Sequence, residues 1–195
     1  MIKNLRGLTS KLSKGFLGPE FNFLKHLKKA CDEAVEIIEK VRELREVEGE
    51  PVIEEVSLSK VLEEVLEEHE DQLIEKNIDL ECESYEQKVM GGPLLEELFS
   101  NLIENAIRHS DCSNIRIRGQ DQGSECIVTV EDDGCGIPEE EREKIFEKGY
   151  RKSKSSGSGL GLFMVKEIAE SYGGSVEVSK SEMDGTRFDV TLKKA

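Results

Sequence analysis

The run LLEELFSNLIENAIRHS, residues 94 to 110, has the pattern of an amphipathic helix that packs, yet it carries two amides and two further nitrogen-bearing side chains on its polar side. Asn101 and Asn105 are one helical turn apart, and Arg108 and His109 follow. At roughly 100° per residue, Asn101, Asn105 and Arg108 fall within about 60° of one another on a helix. Leu95, Phe99, Leu102, Ile103 and Ala106 take the opposite arc and would face a core. Asparagine competes for backbone hydrogen bonds and is a mediocre helix former. Two amides on one stripe of a packing helix therefore point to a cleft. An amide oxygen is a hard neutral ligand that Mg²⁺ accepts beside waters and phosphates. Alone, the N-x-x-x-N spacing equally describes ordinary surface amides.

Two further stretches carry chemistry. In VEDDGCGIP, residues 130 to 138, an expected strand ends at Asp132, and Gly134 and Gly136 follow. Glycines there let the backbone bend sharply and approach a ligand closely. A strand-end carboxylate in a cleft accepts hydrogen bonds from an exocyclic amine such as that of adenine. A plain Asp-Gly turn is the simpler reading. In KSSGSGLGLFMVKEIAE, residues 154 to 170, Gly157, Gly159 and Gly161 lead into an amphipathic helix. Free N–H groups at such an N-terminus suit phosphates. The spacing is neither the dinucleotide G-x-G-x-x-G after a strand nor a Walker A loop. The preceding YRKSKSS suits a basic lid whose Arg151, Lys152 or Lys154 could meet a triphosphate.

These residues need a scaffold, and the rest of the chain supplies its outline. The 195 residues hold one ordinary domain plus a smaller element. No apolar run reaches the length of a membrane span and no signal-peptide pattern opens the chain, so a cytoplasmic chain is expected. Net charge is −15, with seven Lys/Arg against one acid in residues 1 to 31 and 21 acids against five bases in residues 32 to 86. A field of this sign disfavours nucleic acid as a partner. Cys31, Cys82, Cys112, Cys126 and Cys135 form no C-x-x-C pair and are expected as reduced thiols.

Leu24, Leu27, Cys31, Ala34, Ile38 and Val41 step by three and four, a heptad seam. With a helix at about 2 to 14, residues 1 to 49 read as a hairpin that pairs with a second copy into a four-helix bundle. EGEP, residues 48 to 51, marks the boundary. Beyond it, residues 50 to 195 read as α+β. Strands are expected at 52–56, 78–82, 114–119, 125–132, 175–179 and 186–192. Helices are expected from Ser57 as N-cap, from near Pro93, and over about 160 to 172. This order predicts one sheet covered on one face by helices, a two-layer α/β sandwich.

Together, and in this order, the three motifs resemble the nucleotide-binding fold of the GHKL superfamily, which includes DNA gyrase, MutL-type repair proteins and sensor histidine kinases. The resemblance covers about residues 50 to 195 and implies the Bergerat-type ATP-binding fold. It implies that Asn105 coordinates Mg²⁺ on the phosphates of ATP or ADP, with Asn101 beside it. Arg108 would meet a phosphate and His109 the adenine or ribose. Asp132 would bind the adenine amine, with Gly134, Gly136 and Ile137 shaping the pocket. Gly157, Ser158, Gly159, Leu160, Gly161 and Leu162 would wrap the phosphates. KIFEKGY, residues 144 to 150, resembles the phenylalanine box of the histidine kinases, which brings in Phe146, Tyr150, Arg151 and Lys152. DGTRFDVTL resembles their last strand, with Thr186 after the glycine.

ATP-hydrolysing relatives resemble one another in a glutamate four residues before the metal-binding asparagine. Here that position is Asn101, and an amide takes no proton from water. Glu104 resembles the acid that assists an acceptor histidine in the kinases, although a solvated helix carboxylate reads as well. IKNL, residues 2 to 5, resembles the tail of an acceptor box, which would set the histidine just before Met1. The resemblance thus implies a two-component kinase core, a homodimer with an upstream sensor domain, and a response regulator receiver domain as partner. The alternatives are a serine kinase of the anti-sigma type and a non-catalytic scaffold.

Overall fold

The computed structural model describes residues 51–83, 86–151 and 158–195. The expected hairpin at 1–49 lies outside them. From Glu54 onward the chain forms β1 (Glu54–Ser57), α1 (Leu58–Lys76), β2 (Asp79–Cys82), β3 (Lys88–Gly91) and α2 (Leu94–His109). It continues through β4 (Asn114–Gln122), β5 (Glu125–Asp132), two short 3₁₀ turns, α3 (Gly161–Ser171), β6 (Ser175–Lys180) and β7 (Thr186–Lys193).

Five strands make a mixed sheet in the order β2-β4-β5-β7-β6. β2 runs parallel to β4, and every other pairing is antiparallel. Period-two alternation sorts the side chains of the central strands. Ile115 and Ile117 of β4, Cys126, Val128 and Val130 of β5, and Phe188, Val190 and Leu192 of β7 are buried. They meet the apolar faces of the helices, among them Leu98, Phe99, Leu102 and Ile103 of α2 and Met164, Val165 and Ile168 of α3. Each such side chain contributes about 1.5–3 kcal/mol by leaving water. This is the two-layer α/β sandwich that the pattern predicts, and the five residues assigned to the core arc of α2 are all buried.

Three details differ from expectation. β1 joins no five-stranded sheet but pairs antiparallel with β3 in a separate ribbon, in register Glu54↔Gly91 to Ser57↔Lys88. β3 itself was not predicted, because KVMG is too short to show alternation and only Val89 of it enters the apolar core. Ser57 does precede α1, yet its side chain makes no capping bond and instead shares a 3.0 Å hydrogen bond with the Ser59 hydroxyl. At the other end of α1, Asn77 adopts the left-handed conformation (φ 59°) that commonly ends helices.

Candidate functional site

α2 presents its polar stripe as the sequence implies, but its members differ in surroundings. Asn101 is 5% exposed, and its Nδ2 donates to the main-chain oxygen of Glu97 (2.7 Å) and to Glu97 Oε1 (2.6 Å). One turn on, Asn105 is half-buried, and its amide makes no hydrogen bond within the described residues. Glu104 and Arg108 form an i,i+4 ion pair at 3.2 Å. His109 is exposed on the last turn. Partial desolvation, then the cations of Arg108 and Lys76, push its pKa down.

Asp132 ends the central strand at 3% exposure. Its Oδ1 accepts hydrogen bonds from the main-chain N–H of Gly134 (2.8 Å) and of Thr186 (3.3 Å). Burial pushes its pKa up, against the lowering effect of those two donors. Strand parity turns the next residue, Asp133, the other way, where it holds the main-chain N–H groups of Ser113 (2.7 Å) and Asn114 (2.9 Å).

The glycines around Asp132 are required by close approach. A Cβ on Gly134 would stand 2.2 Å from the Ser110 carbonyl oxygen, and one on Gly185 would stand 2.4 Å from Asp132 Oδ1. Ser110 ties the end of α2 to this turn, because its carbonyl accepts the Cys135 N–H at 2.8 Å. Gly136 has φ +68°, and the Ile137 carbonyl accepts Arg142 Nε at 3.4 Å. Phe146 packs edge-on against Phe188 of β7, with centroids 6.4 Å apart, so the second 3₁₀ turn is anchored on the sheet.

The glycine-rich start of α3 closes the arrangement. Gly159 adopts φ +71°, and a side chain on it would meet the Tyr150 carbonyl oxygen (2.7 Å) and Arg151 Cγ (2.8 Å). Its own carbonyl accepts the Gly149 N–H at 3.1 Å. Ser158 Oγ accepts the N–H of Leu160, and no side chain caps α3. The first-turn N–H groups of α3 thus have no side-chain cap, the arrangement from which helix starts can take an anion. A Cβ on Gly161 would lie 2.9 Å from Asn101 Oδ1, so the α2 stripe and the α3 start touch. Leu160 and Leu162 are half-buried beside them. Thr186 is buried at Asp132. Lys152, Lys154 and Gly157 lie outside the described residues.

Three residues of this cluster were missed from sequence: Glu97, Ser110 and Gly185. The i,i+4 spacing of Glu97 to Asn101 was available as a signal. The contact of Gly185 with Asp132 spans the whole of α3 and β6 and leaves no local mark.

A buried carboxylate at a strand end, an amide-bearing helix and an uncapped glycine-rich helix start define an ATP-binding class of site. The family described as histidine kinase-, DNA gyrase B- and HSP90-like ATPase matches residues 91–195, and the chain belongs to it. It is 34% identical over 167 residues to the sensor protein kinase PmrB of Pseudomonas aeruginosa, covering 81% of this chain and 35% of that protein. Among solved structures, the mycobacterial sensor histidine kinase MprB superposes with a TM-score of 0.65 at 27% identity, covering 73% of this chain and 98% of that one. Full-length ShkA, solved in complex with AMPPNP, has a TM-score of 0.76 at 21% identity, covering 97% of this chain and 42% of that one, a likeness of fold alone.

Proposed function

We propose that this chain is the kinase core of a two-component sensor histidine kinase, which binds Mg-ATP and passes the γ-phosphoryl to a histidine for relay to a response regulator aspartate. The observation that carries the reading is the meeting of Asp132, the α2 stripe and the start of α3 around shared contacts at Ser110, Gly185 and Gly161. The histidine kinases among its relatives support the transfer chemistry.

In this reading Asp132 accepts the adenine amine through the oxygen that Gly134 and Thr186 leave available. The α3 N–H groups meet the phosphates, with Tyr150 and Arg151 at the rim. Asn105 fits a hard cation, because its amide has no competing hydrogen bond. Among the described residues no three His, Cys, Asp or Glu side chains are placed to hold a metal, so nucleotide phosphates and water would complete its shell. Mg²⁺ supplies charge neutralisation on the phosphates when bound. Glu104, paired with Arg108, would orient an incoming imidazole. His69 is 1% exposed and closed to attack on a nucleotide. The core would work in the cytoplasm as a homodimer below a sensor domain, with a receiver domain as its partner.

Calorimetry with ADP and Mg²⁺ should show one saturable site per chain, and the absence of heat would overturn the reading. Incubation with Mg-ATP and a separate polypeptide bearing an acceptor histidine should place alkali-stable phosphate on that polypeptide. Release of phosphate to water at a comparable rate would instead favour a hydrolase.

A further inference from the structure

Glu131 immediately precedes Asp132 in β5, and strand parity turns it to the sheet face away from the helices. It is 2% exposed, although Ile127 on the same face shows that an apolar side chain is accommodated there. A buried carboxylate is costly unless both its oxygens are matched, and here each has its own partners. Oε1 takes Arg118 Nη2 at 2.7 Å and Arg116 Nη1 at 3.6 Å. Oε2 accepts the hydroxyl of Ser181, itself buried, at 2.9 Å. Ser181 opens the β6–β7 turn and organises it. Its hydroxyl oxygen accepts the Met183 N–H at 2.9 Å, its carbonyl accepts the Asp184 N–H at 3.1 Å, and its own N–H donates to the Gly185 carbonyl at 3.0 Å. Thr186 follows this turn, its N–H donating to Asp132 Oδ1 at 3.3 Å and its side chain bonding the same carboxyl. Two successive carboxylates of β5 thus hold one turn, Glu131 by its first residue and Asp132 by the residue after its last.

Resting on the nucleotide reading above, we propose that Glu131 is a positioning residue for base recognition: through Ser181 it sets the turn that delivers Thr186 to Asp132, and so sharpens the preference for a purine bearing an exocyclic amine. The Thr186 N–H bond to Asp132 lies at the long end of the N–H···O range, so a small retreat of the turn breaks it. Retreat is the only movement open, because Gly185 is already packed on the strand, with a Cβ there 2.3 Å from the Asp132 carbonyl oxygen. Arg116 and Arg118 of β4 hold the other Glu131 oxygen, which fixes the carboxyl that Ser181 grips. Without the Thr186 donors the Asp132 carboxyl is less ordered before the base arrives, and ordering it then costs affinity for the amine.

The test measures Mg-ADP and Mg-IDP by calorimetry on the unsubstituted chain, Ser181→Ala, Glu131→Ala and the double variant. Inosine diphosphate carries an oxygen where adenine has its amine. Each single substitution should weaken ADP about tenfold and leave IDP unchanged. The double variant should lose no more than the single ones, because the two residues act in one line. In the nucleotide-free chain, the Asp132 carboxyl, followed by NMR, should titrate at higher pH in all three variants. Burial raises it, and the Thr186 donors that oppose burial are withdrawn. Equal weakening of ADP and IDP, additive losses in the double variant, or an unmoved Asp132 titration would each overturn the positioning role. An unsubstituted chain that binds ADP no better than IDP would sink the base reading at Asp132 and this role with it. Circular dichroism identifies misfolding. Should Glu131→Ala not fold, Ser181→Ala, which keeps both arginine pairs, decides alone on the nucleotide ratio and the titration.

Discussion

At the Asp132 end of the site most of the holding contacts run through main chain, joined by the Thr186 side chain. Two N–H groups hold its Oδ1, the Ser110 carbonyl bonds the Gly134–Gly136 turn, and Gly185 leaves no room for a methyl group. At the Arg108 end the contacts are between side chains, and the Glu104–Arg108 pair is 27% and 39% exposed. The contrast follows from what each end would recognise. A purine edge is rigid and rewards fixed donors and acceptors, since a preorganised site loses little entropy on binding. A phosphate chain with a hydrated metal varies in geometry and charge, and flexible cations on a helix surface follow it.

The contrast is broken most severely by filling the pinned end. Gly134→Ala and Gly185→Ala put a methyl group within 2.2 Å and 2.3 Å of main-chain oxygen. Each should lower stability by about 1–3 kcal/mol, seen as a drop in thermal midpoint, and abolish ADP binding in calorimetry. Asp132→Ala leaves the turn room and should preserve the circular dichroism spectrum while weakening ADP by roughly 10- to 100-fold. An unchanged Kd would separate Asp132 from the base.

Acidity gives a subtler handle on the same carboxyl. Its folded-state pKa lies above the unfolded one, chiefly through burial. Between the two values the folded chain holds more protons, so this group's contribution to stability falls as pH rises through that window. Affinity should run the opposite way and weaken as pH falls through the raised pKa, because the neutral acid is the poorer acceptor. Asp132→Asn should flatten both trends when titrated by calorimetry and thermal unfolding. The smallest effect belongs to the adaptable end. Arg108→Ala removes a part-exposed pair, should change stability by less than about 1 kcal/mol, and should cost ATP a few-fold in affinity that vanishes at high salt.

Much of this architecture was readable in the chain because alternation and helical spacing are local. The stretch at 125–132 matches β5 end to end, and the apolar arc of α2 named its buried residues. Asp132 and the glycines of α3 were found because their motifs are contiguous. What escaped depends on distant partners or on weak local signals. β3 is visible only once β1 lies beside it. Gly185 matters because folding sets it on Asp132, and Glu97 looked like any other solvated carboxylate in an acidic stretch. The Ser57 hydroxyl bonds the Ser59 hydroxyl inside the first turn and caps no main-chain N–H of it. Glu104 and Arg108 were read as separate actors, although their spacing pairs them directly.

β5 is the middle strand of the five, paired on both sides from Glu125 to Glu131, and Asp132, paired with Ile115 of β4, is its final residue. Amide hydrogens in such a strand are released to solvent only when the domain opens as a whole, whereas exposed loops exchange through small local fluctuations. The carboxylate proposed to read the base is thus fixed to a strand that opens late among the described residues. Surface loops can fluctuate many times over while the register of Asp132 is kept, so in the proposed reading nucleotide exchange would leave the framework around the base undisturbed.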